Sequence, residues 1–532
     1  MAKRKTTELT TITAASLAAG DWFPVVDVSD TTDSSTGTNK KLAKSELAEA
    51  AGLTTHLADT SDAHDASAIS FAPTGTIAAT DVQAAIAELD SEKAAVSEPI
   101  AAAHIADISD AHDASAISVL DAAGTYTATD VESVLAELPA QFRLVPVKSQ
   151  PPVISSYFER FQSGHGWTIL GGGASITDDT SDYVIGSQCA TFQTRTDGTA
   201  RSAEKAGYSK SLTSSQIAVT FKIDDTTNLT EIILYAGDTA FANYYQWTIY
   251  GDTSEAQRWF KSGEWVTMVL TFAGATTSGS PSRSTIQKLR FRVGASNGAA
   301  ATTVKLGAIG AVAEDSTFPN GVVSITFDDL YASNWTKARP KLSEYGYPAT
   351  IYAISDRIGE TYMSVDKLRA LEALGWEIGV HGNTSLTSMS IEAAEADVIR
   401  ERGALSAYGF RGLRNYAYPQ GGFSTDVMNM LKKHFSSART ICYRQSEALR
   451  PNDPMRLRAY SPSNTTTTTA LTNEITAAYN NKGWLILTFH DIADTATLGT
   501  QYSTANFATV IDHINSTGIP VRTVGDVLSR FT

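Results

Sequence analysis

Cysteine is almost missing from this 532-residue chain. Cys189 and Cys442 lie far apart and read as free thiols, so disulfides are not what holds the fold together. Positive charge is also in deficit, with 42 Lys and Arg against 57 Asp and Glu and a net charge of −15. The basic run Lys3-Arg4-Lys5 is too short to neutralise phosphates, which argues against a nucleic-acid binder. No stretch of about 18 apolar residues is present, so no membrane span is expected. Thr6-Thr7-Glu8 stands where a signal peptide would carry its apolar segment. The protein is therefore expected to be made in the cytoplasm and to reach any extracellular glycan by a route other than that signal. Aromatic residues are scarce before residue 145, which sets that region apart from the rest.

A chain this long exceeds one hydrophobic core, and two to four domains are expected. Residues 1–145 are rich in Ala, Ser, Thr and Asp and carry an internal repeat. Asp62-Ala63-His64-Asp65-Ala66-Ser67-Ala68-Ile69-Ser70 recurs unchanged at Asp110–Ser118, an offset of 48. The repeats span 56–90 and 104–139, and each ends in a short helical pattern. Thr80 and Thr129 read as N-caps, and Val82, Ile86 and Leu89 fall on one helical stripe, as do Val131, Val134, Leu135 and Leu138. Two such units hold too little apolar surface to bury a core alone and need neighbours. His56, His64, His104 and His112 lack a compact metal-ligand spacing and read as turn residues.

Asp21-Trp22-Phe23-Pro24-Val25-Val26-Asp27-Val28, followed by Thr38-Asn39-Lys40-Lys41-Leu42, resembles the opening of phage tail fibre and tail spike proteins. The repeat and its helix resemble segments of phage minor tail proteins. That resemblance implies an elongated attachment and trimerisation stalk, a homotrimer docked on tail or baseplate proteins, and a place in the virion tail acting at the host surface.

Residues 153–314 read as all-β. Runs such as Ile217–Ile223, Trp265–Phe272 and Leu289–Val293 are separated by Gly, Ser and Asp turns, the pattern of a β-sandwich or jelly roll. Tyr235, Tyr244, Tyr245, Trp247, Tyr250, Trp259 and Trp265 are candidates either for that core or for stacking on sugar rings in a carbohydrate-binding module.

From Val322 onward strands alternate with helices, which implies a parallel sheet with functional residues at the C-terminal strand ends. Val322–Phe327 is an apolar strand ending in Asp328-Asp329, and Glu377–Val380 another ending in His381. Adjacent carboxylates at a strand end allow one to hold a cation while the other serves as a base.

Four segments in order resemble the NodB-like polysaccharide deacetylases, carbohydrate esterase family 4. They are Thr326-Phe327-Asp328-Asp329, His381-Gly382-Asn383-Thr384-Ser385, Tyr416-Ala417-Tyr418-Pro419-Gln420-Gly421 and Thr488-Phe489-His490-Asp491. The resemblance covers about 320–530 and implies a distorted (β/α) barrel over 317–532. It further implies Asp328 as general base, Asp329 and His381 as ligands of a divalent metal (zinc foremost), Gln420 as the oxyanion N–H donor and His490 as general acid. Tyr418 and Pro419 would line the substrate site, and the substrate would be an acetylated polysaccharide.

Two positions depart from the family. Ser385 stands where a second ligand histidine is usual, and Ala417 where an arginine often sits; Arg458 is the expected replacement for that charge. Asp491 is expected to favour the charged form of His490. The contrasting possibility is a glycan receptor whose deacetylase fold only grips its ligand. A fragment beginning near Thr317 is expected to fold on its own.

Overall fold

The computed structural model describes residues 22–27, 38–43, 78–93 and 152–532, apart from short stretches at 172–174, 251–256, 360, 412, 443–445 and 532. The chain divides into two compact units, 1–143 and 144–532. In the first, Trp22–Asp27 pairs antiparallel with Thr38–Ala43, in register from Trp22 opposite Ala43 to Asp27 opposite Thr38. A helix runs over Val82–Lys93. Its cap is Asp81, whose Oδ1 accepts from Ala84 N at 2.7 Å, one residue later than the predicted Thr80. A carboxylate accepts that N–H more strongly than a hydroxyl does. The duplicated nine-residue segments, the second helical stripe and the four repeat histidines lie outside the described residues.

The predicted sandwich is present from Ser156 to Ala313. One antiparallel sheet orders Thr276–Ser278, Tyr244–Tyr250, Leu229–Gly237, Ile286–Ala295, Arg201–Lys210 and Thr168–Ile169. The other orders Val266–Leu270, Ser215–Ile223, Thr303–Ala313, Cys189–Gln193 and Thr177–Asp179, with Ser156–Glu159 also on Thr303–Ala313. Period-two alternation turns Leu289, Phe291 and Val293 inward and leaves Lys288, Arg290 and Arg292 half-buried on the other face. Phe221 of one sheet meets Phe291 of the other, ring centroids 5.7 Å apart. Trp247 is core, its Nε1 donating to Thr271 O at 2.9 Å. Tyr245 and Trp265 are committed to Pro281 O and Asp182. Tyr235 and Tyr244 instead form a half-buried cluster with Phe241. The Tyr250 side chain lies outside the described residues.

The C-terminal layer holds six parallel strands, here β1 (Val322–Asp328), β2 (Thr350–Ala353), β3 (Glu377–His381), β4 (Asn415–Ala417), β5 (Ser437–Arg439) and β6 (Trp484–Phe489). Their order in the sheet is β5-β4-β3-β2-β1-β6. β1 and β6 are buried along their whole length, as their mostly apolar runs lead one to expect. Residues 457–460 link the two edges: Leu457 bridges Arg439, and Tyr460 bridges Leu487. The sheet thus curls as the barrel resemblance implied.

Sandwich and sheet layer share a buried polar interface. Trp259 Nε1 donates to Arg456 O, and Arg456 Nη1 to Trp259 O, both at 2.8 Å. Glu264 accepts from the same guanidinium at 2.6 and 3.0 Å. Arg458 forks onto buried Glu447 and also donates to Val269 O at 3.0 Å. A fragment starting near Thr317 would keep the Arg458–Glu447 pair but would leave Arg456 without Trp259 and Glu264 and Arg458 without Val269 O, so it is expected to be less stable than one that includes the sandwich. Both cysteines are free and buried, and burial pushes each thiol up to about 11. No helix among the described residues is long and apolar enough to cross a membrane.

Candidate active site

Parallel strands end on one side of the sheet, and the polar residues that follow their apolar runs converge there. β1 delivers Asp328, β3 delivers His381, β5 delivers Arg439, and His490 follows β6. Asp329 and Leu330 then take left-handed backbone, φ 69° and 61°, which turns the chain sharply behind the strand.

Asp328 is the centre of the cluster. Its Oδ2 accepts from Arg439 Nη2 at 2.5 Å and lies 3.8 Å from His490 Nε2 and 4.0 Å from His381 Nε2. Its Oδ1 is buried without a hydrogen-bond partner. Burial alone would raise this carboxyl, but the Arg439 guanidinium together with His381 and His490 outweighs it and holds the group below the usual carboxylate range. A deprotonated carboxylate with an open oxygen is suited to accept a proton.

His381 is fixed by its other nitrogen. Nδ1 lies 2.8 Å from Ala417 O, and a carbonyl only accepts, so the proton sits on Nδ1 and Nε2 keeps its lone pair. Burial pushes this imidazole below its ordinary value despite the nearby carboxylates, which favours the neutral, ligating form. Nε2 lies 3.9 Å from Asp329 Oδ1. That gap is less than twice a metal–ligand distance of about 2.0–2.2 Å, so the two donors fit one divalent ion. Among the described residues no group of three or more His, Cys, Asp or Glu forms a ready metal cage.

Ser385 adds no observed contact to this pair. Its Oγ lies 3.0 Å from Thr387 Oγ1, and its backbone is extended ahead of the 3-10 turn Leu386–Ser388. Residues four apart share a face only on a helix, and the chain after His381 is not one. Asp329 is met instead by Arg357, Nη1 to Oδ1 at 3.0 Å, while Arg357 Nη2 donates to Asn383 Oδ1 at 3.1 Å. A cation at Asp329 would share that carboxylate with a guanidinium.

Three further expectations are corrected. Arg458 does not supply the missing charge, because Glu447 and Val269 O hold it in the sandwich interface. Arg439 supplies it, fully buried, with its guanidinium 5.2 Å from the Tyr352 ring and Nη1 donating to Thr440 O. Tyr418 is not open to substrate: it is buried, stacks on Phe423, and its hydroxyl donates to Met455 O at 2.8 Å. Pro419 beside it is buried too. Asp491 turns away from His490, accepting from Ser333 Oγ at 2.7 Å and Gln501 Nε2 at 2.9 Å. His490 is anchored by its backbone carbonyl, which accepts from Asn334 Nδ2 at 2.7 Å, and its Nδ1 is buried without a partner.

Gln420 sits at the tip of the loop after β4, in the short turn Pro419–Gly421, with φ 57° and ψ 13°. Among the described residues its N–H meets no acceptor, which leaves that donor available.

Residues 315–435 match the polysaccharide deacetylase family model. The poly-beta-1,6-N-acetyl-D-glucosamine N-deacetylase of Staphylococcus aureus is 29% identical over 133 residues, 22% of this chain and 46% of the relative. The chain thus spans about half the length of the curated relatives it matches. Solved structures that resemble it include a family 4 acetyl xylan esterase from Clostridium thermocellum in complex with a cobalt ion. That one is 16% identical, covering 39% of this chain and 91% of the other, with a TM-score of 0.30. The peptidoglycan deacetylase PdaC of Bacillus subtilis is 17% identical, covering 41% and 94%, with a TM-score of 0.28. The match to polysaccharide deacetylases thus falls on residues 315–435 of the sheet layer.

Proposed function

We propose that this chain is a metal-dependent hydrolase that removes acetyl groups from a polysaccharide. The observation that carries the reading is the meeting of Asp328, Asp329, His381 and His490 at the ends of β1, β3 and β6, with Asp328 buried and charge-paired to Arg439.

Asp329 and His381 would hold the ion. A divalent metal, zinc above all, supplies a Lewis acid for the acetyl carbonyl and an acidified water. Asp328, its carboxylate kept charged by Arg439, takes the proton of the attacking water. The Gln420 N–H donates to the oxygen that becomes negative in the tetrahedral intermediate. His490, 3.8 Å from Asp328, hands a proton to the departing amine or alcohol. Tight packing around Asp328 and His381 keeps bulk water from competing at these positions.

The wider setting is proposed on the resemblance of residues 1–140 to phage tail proteins. In that setting the chain is a homotrimeric tail spike or fibre in the virion. It is anchored on tail or baseplate proteins through its N-terminal region and trims a host capsule or exopolysaccharide during adsorption. A second reading, a glycan receptor with little turnover, draws on Ser385 and on Arg357 competing for Asp329.

Acetate release from purified capsules, exopolysaccharide, poly-β-1,6-N-acetylglucosamine and chitooligosaccharides tests the choice. Release from at least one glycan is expected. Binding of a glycan with no acetate released from any would favour the receptor.

A further inference from the structure

Gln420 carries two burdens at once. It is a non-glycine residue in left-handed backbone, a conformation that L side chains rarely adopt, and its N–H is the donor assigned to the oxyanion. Nothing within the barrel explains how its outward carbonyl is held. The sandwich does: Gln257 Nε2 donates to Gln420 O at 2.8 Å, across 163 positions of sequence. Gln257 is itself tied down, because its own carbonyl accepts from the thiol of buried Cys442.

Neighbouring contacts point the same way. Lys261 Nζ lies 3.8 Å from the centre of the Phe423 ring, and Phe423 stacks on Tyr418 at the root of the same loop. Tyr418 in turn bonds Met455 O, next to Arg456, which Trp259 and Glu264 grip from the sandwich. One stretch of the sandwich, 257–264, therefore touches the Tyr418–Phe423 loop at Gln420 and Phe423 and grips Arg456, the residue next to the Met455 that Tyr418 bonds.

We propose that Gln257 is a positioning residue for catalysis, and that the β-sandwich completes the oxyanion site of the deacetylase domain rather than serving only as a tether. The φ and ψ of Gln420 fix its two flanking peptide planes relative to each other. A donor that pins the carbonyl therefore also fixes the direction of the N–H. Without it, the residue relaxes toward negative φ and the N–H swings away from the developing charge. Ground-state binding does not use this N–H strongly, so the loss falls on turnover. The inference rests on the deacetylase reading and on Gln420 as donor.

The test uses the full chain with Gln257→Met, which keeps length but has no N–H, and Gln257→Lys, which restores a donor. Acetate-release kinetics, metal affinity by calorimetry and amide hydrogen exchange over 418–424 are measured for each. Gln257→Met is expected to lower kcat about tenfold, below the loss of the oxyanion donor itself. KM and metal affinity should stay unchanged while exchange of 418–424 rises, and Gln257→Lys should recover most of kcat. Wild-type kcat in Gln257→Met, or a loss residing wholly in KM, would overturn the proposal. So would a loss that Gln257→Lys fails to relieve. A wild-type chain that releases no acetate would contradict the deacetylase reading instead. The exchange readout needs no turnover, so unchanged exchange there would contradict the clamp separately.

Discussion

Arg439 Nη2 lies 2.5 Å from Asp328 Oδ2, with both side chains buried at the ends of strands two neighbours apart from β3 on either side. This pair sets the charge of the proposed base. Arg439→Met removes the only guanidinium bonded to Asp328 among the described residues and leaves a buried carboxylate without its partner. Turnover is expected to fall by about two orders of magnitude or more, and stability by about 3–5 kcal/mol. Arg439→Lys should recover part of the stability and less of the activity, because an ammonium lacks the planar fork. Steady-state kinetics and urea unfolding on the same preparations check both.

Metal binding is expected to depend on Asp329 and His381, and to be opposed by Arg357. Asp329→Ala and His381→Ala should lose bound zinc, whereas Arg357→Ala should bind it more tightly, by a factor of about ten if one charge near the surface is removed. Calorimetric titration of zinc into each variant measures this directly. Equal affinity in Arg357→Ala would show that the guanidinium leaves Asp329 without cost.

How much of this was legible beforehand follows from distance along the chain. Asp328, Asp329, His381 and His490 end apolar strands or follow them directly, so local pattern and motif order revealed them. Arg439 ends a strand of only three residues, Ser437–Arg439, too short to stand out by periodicity. Arg458 looked equally eligible in sequence, and only the closure of 457–460 against both sheet edges sends it toward Glu447 and the sandwich. Gln257 had no signal at all, because its partner is 163 positions away. The aromatics of the sandwich divided by strand parity: Trp247 faces inward, while Tyr235 and Tyr244 gather with Phe241.

The sandwich interface is expected to be part of the catalytic domain's stability. Arg458→Ala removes the bond to Val269 O of the sandwich and leaves Glu447, of the sheet layer itself, buried and unpaired, and should cost about 3–5 kcal/mol. A fragment beginning at Thr317 should melt well below a fragment covering 152–532. Thermal unfolding of the two fragments decides this, and equal melting temperatures would show the interface to be dispensable.

Assembly is a separate matter. Ile86, on the first predicted stripe, is 58% exposed in the single chain. A trimer formed through residues 1–145 would cover it. Light scattering on the full chain is expected to give three times the monomer mass, and Ile86→Asp should weaken that state. A monomeric full-length protein would remove the stalk and the tail-spike setting while leaving the chemistry of the sheet layer in place.

The most direct measurement is acetate release by the full chain on a glycan it cleaves, comparing wild type, Asp328→Asn and His490→Ala, with wild type repeated after chelation and zinc restoration. Each substitution should lower turnover by about two to four orders of magnitude while zinc content stays that of wild type. Chelated wild type should be inactive and regain activity with zinc. Turnover within a few-fold of wild type in either variant, or full activity without metal, would contradict the assignment of this site.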